Sequence, residues 1–254
     1  LSQSEDNGIA ATPLFAKLDS LSSPMAMVAQ AHALPDQLVT PFMLGVPKDA
    51  DASQVMIAAE MSVKSGVMFV DGSTFSFNRK IDKAIREAHT VYRPIAGRYL
   101  SAMPSDAVMG LFVNVDGNKF IELMRSNRSL QAMLAGINAA IDMDNIIKSV
   151  DGDMAVITPK YLDDRLSMSM AAELAHAGWL SDVDYWKQSV PQGGRIIDWK
   201  ENAYKYTDGK TTFCFGVSAD KQFYSGSSPE DAMALLGQSE TPISKALQQK
   251  VKGQ

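Results

Sequence analysis

The chain has 254 residues, enough for one large core or two ordinary domains, with 46% hydrophobic and 21% charged residues. That balance excludes a disordered chain, and a net charge of −5 without a basic stripe excludes a phosphate-binding surface, so nucleic acid is not an expected partner. One cysteine, Cys214, excludes an intrachain disulfide framework and a zinc site of paired thiolates. Between Phe213 and Phe215 it reads as a small buried hydrophobe.

Residues 1–12 read as a flexible polar leader. A start at Leu1 rather than Met suggests a processed or trimmed chain, and no run reaches the eighteen or so apolar residues that span a bilayer. Pro24 followed by Met25 to Leu34 predicts a short helix. Leu38 to Val46 predicts a strand that Pro41 confines to an edge or bulge. Ala52–Val63 and Val67–Val70 predict a hairpin about Lys64-Ser65-Gly66, with Asp71-Gly72 as a further turn. From Phe77 to His89 the period becomes helical, with Ile81, Ala84, Ile85 and Ala88 on one face and charges on the rest.

Residues 90–105, with Pro94, Gly97 and Pro104, read as a connector. Ala107–Val115 predicts a strand ending at Asp116-Gly117, then helices over Lys119–Met124 and around Leu130–Ile137, then a third capped by Asp142. Asp151-Gly152-Asp153 reads as a turn before a strand over Met154–Thr158. Arg165–Leu174 alternates, with Leu166, Met168, Met170 and Ala172 on one side, as a half-buried strand does. A helix is expected from Leu180 to Ser189. A meander follows over Arg195–Trp199, Ala203–Tyr206, Thr211–Val217 and Lys221–Tyr224, with a hairpin turn at Asp208-Gly209. Ser228-Pro229 and Thr241-Pro242 each predict a helix start.

This order predicts an α+β protein of largely antiparallel sheet with helices packed on one face, with two similar subdomains as a candidate arrangement. The expected organisation is a leader over 1–12, an N-terminal α+β region over 13–100, and a C-terminal α+β domain with the meander over 101–254.

Catalytic motifs are absent from the sequence. His32, His89 and His176 share no metal-binding spacing, there is no HExxH or GxSxG, and Ser73 lies in no phosphate loop. Asp142 and Asp144, Asp151 and Asp153, Asp163 and Asp164, and Asp182 and Asp184 suit turns and caps better than a calcium loop or a carboxylate pair. No catalytic residue, metal or cofactor is assigned. Late aromatics are mostly core, but Tyr204 and Tyr206 fall on one sheet face and, with Trp199, form the candidate ligand platform. The 15 methionines read as adaptable filling of the core.

The stretches MPSDAVMGLFVNVDGNKFIELM, INAAIDMDNIIKSVDGDMAVITP, AGWLSDVDYWKQ and TTFCFGVSADKQFYSGS occur in this order over roughly residues 100–230. They resemble a family of exported, lipid-anchored proteins of unknown function from gut Bacteroides and relatives. The resemblance implies a cell-envelope location, a longer precursor, and a binding or scaffold role toward a glycan, a peptide or another envelope protein. It carries no catalytic residues. A non-catalytic envelope protein is therefore the first expectation. A hydrolase acting on glycan or peptide through dispersed carboxylates is the alternative.

Overall fold

The computed structural model describes residues 8–35, 43, 45–47, 49–64, 67–126, 131, 141–159, 167–191 and 193–254. The chain is an α+β fold of antiparallel sheets with helices packed alongside them. It divides into two compact units, Leu1–Thr90 with Leu123–Ser129, and Val91–Glu122 with Leu130–Gln254.

The first unit holds a three-stranded antiparallel sheet in the order β1 (Met25–Gln30), β2 (Val55–Lys64), β3 (Val67–Ser76). Helix α1 (Pro13–Asp19) starts on Thr12, whose hydroxyl accepts from Phe15 N–H, with proline at the first helical position. Helix α2 (Arg79–His89) starts on Asn78, whose side chain accepts from Lys80 N–H. The apolar face read from its sequence is the one that packs: Ile81 and Ile85 are buried against Val55 and Ile57 of β2, Ala31 and Val46.

The second unit is built on an eight-stranded antiparallel sheet in the order β4-β5-β6-β7-β11-β10-β9-β8. The strands are β4 (Tyr92–Arg93), β5 (Met109–Asp116), β6 (Val150–Thr158), β7 (Ser169–Leu174), β8 (Arg195–Lys200), β9 (Ala203–Thr207), β10 (Thr212–Val217) and β11 (Gln222–Gly226). Between β5 and β6 lie α3 (Gly117–Ser126) and α4 (Met143–Lys148). Then come α5 (Val183–Ser189), α6 (Pro229–Met233) and α7 (Lys245–Val251). One face of this sheet buries Ala155, Ile157 and Ala171 against Tyr99, Ala102 and Leu235, and Ala203, Cys214 and Tyr224 against Ala232 of α6. On the opposite face Trp179 stacks on Trp186 of α5, with centroids 5.9 Å apart, and meets the Phe223 ring edge-on at 6.1 Å.

Several local expectations are corrected. Met25–Leu34 is not a helix: its first six residues form β1, and Ala31–Ala33 form a single 3-10 turn. Helix preference of Met and Ala is weak, and the ladder from Met25↔Met61 to Gln30↔Met56 outweighs it. Asp71-Gly72 is not a turn but lies within β3, opposite Glu60 and Ala59. Asp151-Gly152-Asp153 is likewise part of β6, opposite Asp116, Val115 and Asn114. There the turn signal marks an irregularity instead: Gly152 has φ +144°, and the register toward β7 shifts between Val150 and Met154.

Strand β7 is buried at Ser169, Ala171, Ala172 and Leu174, so both of its faces are covered rather than one. Thr241-Pro242 does not start a helix. Pro242 bridges Pro104, and α7 begins after Ser244, whose hydroxyl accepts from Leu247 N–H. The Asp142 cap is as expected, accepting from Asn145 N–H at 3.0 Å with Ile146 and Ile147 buried behind it. Most of the expected Leu38–Val46 strand, the Ser65-Gly66 turn and nearly all of the Leu130–Ile137 helix lie outside the described residues.

Candidate ligand-binding groove

The meander orders its own aromatics. Asp208 at the β9–β10 turn accepts on Oδ1 from Lys210 N–H (2.9 Å) and Thr211 N–H (2.6 Å), and Gly209 supplies a φ of +86°. These donors hold the Asp208 carboxyl below its ordinary value, Thr211 contributing most. The tight turn fixes the register Phe213↔Tyr206 and Phe215↔Tyr204. With a period of two, all four rings then share one face. Their centroids are 5.4 Å apart for Tyr206–Phe213, and 5.5 Å for both Phe213–Phe215 and Tyr204–Phe215.

The three residues singled out in the sequence do not form one platform. Tyr204 and Tyr206 share a face, but Lys187 of α5 sits over the Tyr204 ring at 5.4 Å and bonds Asp198 at 2.9 and 3.0 Å. Those hydrogen bonds, the one to Asp198 first, push the Lys187 ammonium above its usual value. Trp199 lies where β8 slips register between Asp198 and Lys200, and it packs with the Ala203, Cys214, Tyr224 and Ala232 cluster on the opposite face. Its indole N–H donates to Tyr204 O at 3.0 Å.

Tyr206 instead borders a groove of about 460 Å³. Phe213 and Met170 are sheet residues of its floor, Met143 comes from the first residue of α4, and Met168 from the approach to β7. Ser225, Ser227, Thr211 and Thr212 add hydroxyls, and Asp208 closes one end, its Oδ2 accepting from the Tyr206 hydroxyl at 3.5 Å. Met168 is 49% exposed, whereas Tyr206 is 8% exposed. Burial, then the Asp208 charge, raises the Tyr206 phenol above its ordinary value. The groove is a mostly apolar concavity with few polar groups, the usual composition of a small-ligand or peptide site.

The alternation read for Arg165–Leu174 had already placed Met168 and Met170 on one side. What a single strand cannot show is that β11 and β10 bring Ser225 and Phe213 beside them. Nothing in the sequence singled out Met143.

The remaining candidates take structural places. Cys214 is fully buried and burial pushes its thiol up. Ser73 is an exposed strand residue opposite Ala58. His89 ends α2, His32 lies in the 3-10 turn after β1, and His176 accepts from Gly178 N–H at 3.4 Å. Asp184 pairs with Lys187 at 3.2 Å, and Asp151 pairs with Arg93 at 2.8 Å. Asp163 and Asp164 lie outside the described residues. Among the described residues no group of three or more His, Cys, Asp or Glu side chains is placed to hold a metal ion. Among them, too, no helix is long and apolar enough to cross a membrane.

Comparison with family models, with curated proteins and with solved structures gave no match.

Proposed function

We propose that this chain is a non-catalytic binding protein of the cell envelope. The observation that carries the binding role is the Met- and aromatic-lined groove bordered by Tyr206, Phe213, Met168 and Met170. Three thioethers face one open volume there. Their flexible, polarizable side chains suit an adaptable binding surface more than a rigid core. The envelope location rests on the resemblance of residues 100–230 to exported, lipid-anchored proteins.

The test is binding of the purified chain to peptide and glycan arrays, run beside Met168→Lys. Met168 is half-exposed, so its replacement leaves the fold intact while placing a charged stem in the groove. The expected result is a ligand retained by the native chain and lost by Met168→Lys. Equal retention by both proteins, or no retention by either, refutes the groove as the binding site.

A further inference from the structure

The lining of the groove bears on the chemistry of any ligand it takes. Resting on the binding reading above, we propose that its ligand is a peptide segment carrying an apolar side chain next to a lysine or arginine. Three observations converge on this chemistry.

The first is the state of the aromatic rings. A sugar needs an open ring face to lie on, yet Tyr206 is 8% exposed and tilted 39° against Phe213 with the centroids 5.4 Å apart. The most exposed large apolar side chain of the lining is Met168, at 49%, while Phe213 is half-buried, and methionine moulds to branched and unbranched side chains alike. The second is charge. Among the described residues, Asp208 is the one ionisable side chain lining the groove apart from the Tyr206 phenol, and none of them brings a cation to it. An apolar wall ending in one carboxylate complements an apolar side chain followed by a cation.

The third is the hydrogen-bonding rim. Ser227 Oγ accepts from Met168 N–H at 3.1 Å, which leaves its hydroxyl proton to donate to a ligand carbonyl. The volume of about 460 Å³ falls in the range of roughly 300–1,000 Å³ typical of ligand pockets. A few peptide side chains fill such a space.

The experiment uses the full chain labelled with ¹³C at the methionine ε-methyls, with the Met143, Met168 and Met170 signals assigned by single Met→Leu substitutions. The probes are N-acetylated, C-amidated leucyl-lysine, leucyl-glutamate and leucyl-glutamine peptides, and maltohexaose. The expected result is that the lysine peptide moves these three methyl signals, and binds more tightly than the glutamate peptide. Asp208→Asn keeps the Oδ1 acceptor that builds the turn, and is expected to weaken lysine-peptide binding by roughly threefold, the scale of one exposed charge pair. Equal affinity for all three peptides overturns the cationic preference and leaves the binding reading standing, as does movement by maltohexaose alone. Stillness of all three methyls with every probe sinks both the preference and the binding reading.

Discussion

The carboxylate of Asp153 in β6 holds the backbone of Gly97: Gly97 N–H donates to Oδ2 at 2.6 Å across 56 residues of sequence. Arg98 N–H donates to the same oxygen, and Ala96 N–H and the Asn114 amide donate to Oδ1. Asp153 is 2% exposed, so removing it takes the acceptor from four donors at a part-buried site. Asp153→Ala is expected to cost about 2–4 kcal/mol in urea unfolding, from the loss of several hydrogen bonds to one carboxylate. Asp153→Asn keeps one acceptor and costs less, about 1–3 kcal/mol. A loss below about 1 kcal/mol in Asp153→Ala contradicts this account.

Gly226 sits where β11 passes beneath α6. A Cβ there would lie 2.3 Å from Ala232 N and 2.6 Å from Asp231 C, both backbone atoms that no rotamer change relieves. Gly226→Ala therefore lifts α6 from the sheet, at a cost of about 1–3 kcal/mol. Hydrogen exchange reads it locally, as lost protection at the α6 amides. Unchanged protection there contradicts the packing.

Asn78 serves two ends at once. Its Oδ1 caps α2 through Lys80 N–H at 3.0 Å, and its Nδ2 donates to Gln54 Oε1 at 2.8 Å. Asn78→Ala loses both and is expected to destabilise the first unit by about 1 kcal/mol or slightly more. Asn78→Asp keeps the cap and should recover most of that loss. Equal losses in the two variants show that the Gln54 bond, not the cap, matters.

Acid titration should expose the two turns of the meander. The Asp208 carboxyl is held low by Thr211 and Lys210 N–H, and Asp220 is held low by the Ser218 hydroxyl first, with the Gln222 amide and Arg98 also contributing. A carboxyl lowered in the folded state stabilises fully above its unfolded value of about 3.9. That contribution disappears as pH falls through the lower folded value. The urea midpoint is thus expected to be insensitive to these groups near pH 6 and to fall below about pH 4. Asp208→Asn, Asp220→Asn and their combination should flatten that acid limb progressively. An unaltered limb in the double variant assigns acid sensitivity to other carboxyls.

The path from sequence to groove shows how far local pattern reaches. The apolar spacing of α2, the Asp142 and Ser228 caps and the Asp208-Gly209 hairpin are written in consecutive residues, because each rests on hydrogen bonds or faces a few positions apart. The same rules misread Asp71-Gly72 and Asp151-Gly152. A ladder of neighbouring strands can hold an Asp-Gly pair extended, or convert its turn preference into an irregularity. Tyr204 and Tyr206 were legible as a same-face pair, since the period of a strand is two. That Lys187 covers one of them, and that Trp199 leaves for the other face, depends on α5 and on the register slip in β8.

Composition and short-range spacing alone established an α+β chain with antiparallel hairpins, a buried lone cysteine and no recognisable catalytic motif. Only the tertiary structure decided which of its many apolar residues line an open groove. Met143, the pair Met168 and Met170, Tyr206 and Phe213 come from four stretches of the chain, and strand order and helix docking alone bring them together. Hydrophobic burial is non-directional and rewards covering any apolar surface, so the sequence marks these residues for burial without saying which will be left partly uncovered.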